Sequence, residues 1–213
     1  MEILDLLFLI TKLLNKNGKI FTHGKRVADI ACAIAKKMQY CEEGIRQIRL
    51  AAFFHDIGKI ETPEQILNKP SALDESELAI VRKHPESGYR LLQPLKQDSI
   101  IAEVALQHHE MLDGSGYPFG LRAKDINPVA RIIAVADALD TMTSPQVYRP
   151  ILTMDQALQE IKQNSGLLYD VQVVDAVLAV IEGNINRKKF NEVLVEEVRE
   201  NENIRHFGQP PQK

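Results

Sequence analysis

Apolar residues recur three and four positions apart through most of this chain, with charged and amide residues between them. That is the period of helices burying one face. The stretches are "RVADIACAIAKKM" (26–38), "IRQIRLAAFF" (45–54), "DESELAIVRKH" (74–84), "SIIAEVALQHH" (99–109), "ARIIAVADALDTM" (130–142), "MDQALQEIKQ" (154–163) and "VQVVDAVLAVI" (171–181). In the first, Val27, Ile30, Ala31 and Ile34 fall on one side. No series of alternating apolar and polar residues competes with them as strands. The separators "ETPEQ", "NKPSALDES", "DGSGYPFG", "INPVA" and "SPQVYRP" are rich in turn formers. Asp74 before "ESE" and Thr153 before "MDQ" are predicted helix N-caps, Thr153 with Gln156 closing a capping box. The pattern predicts an all-α fold, a compact multi-helix bundle over residues 15–185.

Both ends depart from this pattern. The run "LLFLI" between Asp5 and Lys12 predicts an N-terminal helix over residues 1–14, packed on the domain or on a second subunit. It is too short to span a bilayer and lacks the basic leader and cleavage site of a signal peptide. From residue 186 a charged amphipathic helix is expected, with Phe190, Val193, Leu194 and Val198 on one side, followed by a flexible tail over the last residues before 213. These two segments are the candidate surfaces for a homodimer or a signalling protein partner. Only about twenty residues precede His23, so regulation is expected to come from elsewhere.

Composition narrows the function classes. With 213 residues and 45% hydrophobic content, the chain can bury a sizeable core. A net charge of −3 gives no basic field for wrapping a DNA or RNA polymer, although a local anion pocket is compatible with it. Cys32 and Cys41 form no CxxC pair, which predicts two free thiols in a reducing cytoplasm.

The six histidines are His23, His55, His84, His108, His109 and His206. His55 and Asp56 end the apolar run "LAAFFHDIGK", where a carboxylate is costly unless paired or metal-bound. Asp137 repeats the anomaly in "RIIAVADALD", with Asp140 three residues later on nearly the same face. Taken singly, each is explained as well by a hydrogen bond or a cap as by a metal. Together, five histidines and two aspartates in such settings favour a metal site. Neighbouring helix residues differ by about 100° in direction, so His55–Asp56 and His108–His109 suit adjacent metal positions.

At "HDIGK" (55–59), "KHPESGY" (83–89), "HHEMLDGSGYP" (108–118) and "AVADALDTMT" (134–143), in this order, the chain resembles the HD-GYP branch of the HD-domain phosphohydrolases. The match runs from "HGKRV" at His23 to "GLLYDVQVV" ending at residue 174. The resemblance implies an HD-domain bundle with a C-terminal helical extension, whose metal centre hydrolyses the bacterial second messenger cyclic di-GMP, with pGpG as the expected first product and the choice between stopping there and going on to GMP left open. It implies one metal held by His23, His55, Asp56 and Asp137, and a second by Asp56, His84, His108 and His109, with Asp56 bridging. Members with a third metal tend to carry a glutamate where this chain has Lys19, so two divalent cations are expected. Ligation by nitrogen without thiolate suits iron or manganese, with zinc, cobalt and nickel as alternatives.

The expected chemistry is in-line attack on phosphorus by a hydroxide bridging the two metals. Asp56 and Lys59 are the expected catalytic residues, Lys59 also contacting the phosphate. Gly116, Tyr117 and Pro118 are expected to shape the ligand pocket, with the glycines letting the loop approach the substrate. Gln146 and Arg149 are further candidate ligand contacts. Gln146 stands where the family commonly has a basic residue, as does Met111, and an amide forgoes the charge-assisted pairing of an arginine. The competing readings are a phosphohydrolase for another cyclic dinucleotide or nucleotide, and a non-catalytic receptor for cyclic di-GMP.

Overall fold

The computed structural model describes residues 18–94, 99–145 and 150–182. The segments expected to form the terminal helices, 1–14 and 186–213, lie outside the described residues, as do Gln146 and Arg149.

The described residues are helical, with no strand beyond two isolated bridges. Helix α1 spans Gly18–Lys37 and α2 spans Glu42–Phe54. A 3-10 turn over Ile57–Glu61 leads to the short α3, Glu64–Leu67. Then come α4 (Glu75–Val81), α5 (His84–Leu92) and α6 (Ser99–Gln107). After a loop and a second 3-10 turn, Ala123–Asp125, the chain forms α7 (Pro128–Thr143), α8 (Met154–Gln163) and α9 (Val171–Glu182).

Both predicted caps are present as capping boxes, Asp74 with Glu77 and Thr153 with Gln156. Cys41, exposed rather than buried, caps α2 by accepting from the Gly44 amide. One predicted helix is divided: "DESELAIVRKH" stops at Val81, and the chain restarts as α5 at His84 with Pro85 in its first turn. Proline disfavours helical backbone in the residue before it and suits a first turn, where its missing N–H is no loss.

Helix α7 is the central element, packed against α1, α6, α8 and α9. Its Ile132, Ile133, Val135, Ala136 and Leu139 are fully buried, so it is apolar on most of its surface. Around it the core draws Val27 and Ile34 from α1, Ile48 and Phe54 from α2, Val104 from α6, Ile161 from α8 and Val177 from α9. Each large side chain of this kind contributes about 1.5–3 kcal/mol on burial. None of the described helices is long and apolar enough to cross a membrane. The arrangement brings the middle of α1, the end of α2, the start of α5, the end of α6 and the middle of α7 to one place.

Candidate metal centre

Asp56 lies at the middle of that place. It follows α2 directly, is 3% exposed, and turns its two carboxylate oxygens towards different groups of imidazoles. Oδ2 lies 3.5 Å from His55 Nε2 and 3.6 Å from His23 Nε2, while Oδ1 lies 3.2 Å from His84 Nε2 and 3.8 Å from His108 Nε2. Two ligand sets follow: His23, His55 and Asp56 form one, and Asp56, His84, His108 and His109 the other. Asp137 stands beside the first, its Oδ1 3.0 Å from His23 Nε2 and 3.9 Å from His55 Nε2. All seven residues expected as ligands therefore meet around one carboxylate.

The orientation of the rings carries more information than their proximity. His55 Nδ1 is 2.6 Å from the Ala52 carbonyl, His84 Nδ1 is 2.8 Å from that of Val81, and His108 Nδ1 is 3.0 Å from that of Ala105. A carbonyl oxygen only accepts, so each Nδ1 carries the proton and donates it. In the neutral ring Nε2 is then a bare lone pair, and each of these lone pairs points inward. His84 Nε2 and His108 Nε2 face each other at 3.2 Å, two acceptors with no proton between them. His55 Nε2 and Asp56 Oδ1 are buried without any hydrogen-bond partner. Buried acceptors left in this way are destabilising unless a cation receives them. The donor set, imidazole nitrogen and carboxylate oxygen without thiolate, fits a divalent transition metal.

Protonation follows from the same packing. Burial lowers His55, His84 and His108, and lowers His109 well below the ordinary imidazole value, so these four rings are neutral at neutral pH. Burial would also lower His23, but hydrogen bonds to Asp137 and Asp140 outweigh it and push the ring up to about 10. Burial would raise Asp56, yet the Lys59 ammonium beside it holds its carboxyl well below the usual carboxylate range. Lys59 Nζ sits 2.5 Å from Asp56 Oδ2, one turn beyond His55.

Two residues that stabilise this site were not among those singled out as ligands from the sequence. Asp140, 1% exposed, accepts from His23 Nδ1 at 2.7 Å and from Arg26 Nε at 2.6 Å and Nη2 at 2.9 Å. It fixes the His23 ring as the backbone carbonyls fix those of His55, His84 and His108, and adds negative charge behind it. Its spacing from Asp137 was visible in the sequence; its partners, 114 and 117 residues away, were not.

Glu110, 3% exposed, accepts from the backbone amides of Phe119 at 2.7 Å and Leu121 at 2.8 Å and so clamps the loop after His109. Within that loop a Cβ on Gly116 would lie 2.4 Å from both the His109 carbonyl oxygen and the Met111 nitrogen. Gly116 thus lets the loop fold back on its own backbone, a packing reason that differs from the expected approach to substrate. The Tyr117 ring then stacks on His109, centroids 4.6 Å apart at 25°, with Pro118 following through a cis peptide bond.

The comparisons agree with this geometry. The HD domain family matches residues 8–173. The chain is 42% identical over 156 residues to the cyclic di-GMP phosphodiesterase response regulator RpfG of Xanthomonas campestris pv. campestris, covering 72% of this chain and 41% of that protein. It is 39% identical over 183 residues to a cyclic di-GMP phosphodiesterase of Thermotoga maritima, covering 82% of this chain and 49% of that one. The chain thus spans less than half the length of either relative. Among solved structures it is similar to Bd1817, an HDG"Y"P protein from Bdellovibrio bacteriovorus, with a TM-score of 0.64 at 25% identity over 77% of this chain and 53% of that one. With its family match, its relatives and its histidine–aspartate cluster in agreement, the chain belongs to the HD-domain family, in its HD-GYP branch.

Proposed function

We propose that this chain is a metal-dependent phosphodiesterase that hydrolyses cyclic di-GMP to pGpG and, by a second cleavage, to GMP. The observation that carries the reading is the set of inward-facing Nε2 lone pairs around the two oxygens of Asp56, with Nδ1 tied outward on each of His55, His84 and His108. The relatives named as cyclic di-GMP phosphodiesterases support the choice of substrate. We assign one cation to His23, His55, Asp56 and Asp137 and a second to Asp56, His84, His108 and His109, iron or manganese being favoured by the donor set.

Bound there, two divalent cations supply hydroxide at neutral pH and neutralise phosphate charge, which free water with a pKa of about 15.7 does not do. The chain's own residues position that chemistry. Asp56 offers one oxygen to each ligand set. Asp140 and Arg26 hold the His23 ring in line, and Lys59, at the edge of the centre beside Asp56, is placed to pair with a phosphate oxygen. Gly116, Tyr117 and Pro118 make one wall of the pocket, with Gln146 and Arg149 as further ligand contacts. The free thiols Cys32 and Cys41 suit a reducing cytoplasm as the place of action.

The test is anaerobic purification with metal quantification, followed by chromatography of digests of cyclic di-GMP, cyclic GMP-AMP and cyclic di-AMP. Two ions per chain and pGpG as the first product are expected, with His55→Ala losing metal and turnover together. Unchanged metal content and turnover in that variant would sink the proposal. A faster digest of another cyclic dinucleotide would move the specificity and leave the chemistry in place.

A further inference from the structure

A cyclic dinucleotide carries two phosphodiesters, each with a negative charge, and only one of them is cleaved at a time. The other has to rest near a centre that already contains the carboxylates of Asp56, Asp137 and Asp140, so it calls for a cation of its own. Lys59, Arg26 and Arg82 each have a contact that ties them to the centre. Lys59 is engaged by Asp56, and Arg26 is held by both oxygens of Asp140. Arg82 differs from them. It closes α4 two residues before His84, is exposed, and pairs with no carboxylate among the described residues. Its guanidinium carbon lies 5.5 Å from the centroid of the Tyr117 ring. That ring in turn stacks on His109 and lies 6.5 Å, centroid to centroid, from His84.

An arginine held over an aromatic ring by its charge spends no N–H group on that contact, so its donors stay free for other partners, and the ring limits the rotamer freedom lost when one is bound. The free edge presents the planar fork that matches two phosphate oxygens. We propose that Arg82, seated over Tyr117, binds the second phosphodiester of the cyclic dinucleotide, the one not being cleaved. Arg82 then acts on substrate choice rather than on bond cleavage, favouring ligands with a second phosphate over simple diesters. This inference rests on the proposed function.

The experiment compares wild type, Arg82→Ala and Arg82→Lys, metal-loaded and matched for metal content, on cyclic di-GMP and on bis(p-nitrophenyl) phosphate, which has a single phosphodiester. In Arg82→Ala the ratio of kcat/KM for cyclic di-GMP to that for the simple diester falls about tenfold, most of the loss lying in KM, as expected for one charge-assisted contact. Arg82→Lys, with charge but no fork, recovers part of it. Raising the salt concentration narrows the gap between wild type and Arg82→Ala. An unchanged ratio in Arg82→Ala, or a loss lying in kcat for both substrates, overturns the role of Arg82. Wild type that cleaves the simple diester but not cyclic di-GMP overturns the proposed substrate, and this inference with it.

Discussion

His23 is the residue whose surroundings make the sharpest statement about pH. Its Nδ1 faces Asp140 and its Nε2 faces Asp137, and the two carboxylates outweigh burial to push the ring up to about 10. Without metal, His23 is therefore an imidazolium between two anions at neutral pH, and binding a cation on Nε2 must release that proton. A folded-state value above the unfolded one of about 6.5 means the native state holds the proton more tightly. Its contribution to stability is complete below pH 6.5 and is lost as pH rises through about 10. Asp137 and Asp140 are depressed, so their contribution is present above the ordinary aspartate value and lost as pH falls below it. The expected outcome is that the denaturant midpoint of the chelated protein declines between pH 6.5 and 10, and that Asp140→Asn flattens the decline. An equal slope in the variant counts against the Asp140–His23 pair. The seven expected ligands stood out in the sequence because histidine and aspartate in apolar helices need a reason. Arg26 and Arg82 did not stand out, because each is an ordinary polar residue until its distant partner is known.

At the scale of elements, the centre depends on how closely the 3-10 turn after Asp56 approaches the start of α5. A Cβ on Gly58 would lie 2.0 Å from the His84 carbonyl oxygen and 2.5 Å from the Gly88 nitrogen, both backbone atoms that cannot give way locally. Gly58→Ala must push α5 outward and carry His84 away from Asp56, 3.2 Å distant in the native arrangement. We expect the variant to lose about 1–3 kcal/mol of stability and to keep one ion per chain in place of two, since the His23–His55 ligands sit on α1 and at the end of α2. Metal quantification beside a denaturant titration checks this, with Gly18→Ala as control because nothing lies within 4 Å of its added Cβ. Loss of both ions, or of neither, would speak against two separable ligand sets. Most elements were legible from their period and caps, as Asp74 and Thr153 illustrate. The division of "DESELAIVRKH" was less so, because Val81 to His84 keeps a helical pattern and only Pro85 hints that the axis is about to change.

At the scale of the whole molecule, the proposed metal centre ties stability to occupancy. The candidate ligands come from α1, the junction after α2, α5, the end of α6 and α7, so a cation held by them would brace elements from residue 23 to residue 137. Metal binding to the native state alone stabilises by about 2.7 kcal/mol at a free concentration a hundredfold above Kd. For a domain of this size that corresponds to a rise in Tm of about 5–10 °C, reversed by a chelator. Calorimetry of loaded and stripped protein reads it directly, and an unchanged Tm would mean that the inward Nε2 atoms hold nothing. The sequence by itself determined the helical class and the caps, because helix period and turn formers are local properties of residue type, and it pointed to seven candidate ligands through imidazole and carboxylate in apolar helices together with a family resemblance. Only the tertiary structure decided which nitrogen of each ring faces the centre, that Asp140 and Arg26 stand behind His23, that Glu110 clamps the loop bearing Tyr117, and that Arg82 lies over that ring. Those relations are fixed by how α1, α2, α5, α6, α7 and the loop after His109 pack, and no spacing along the chain encodes an angle of approach.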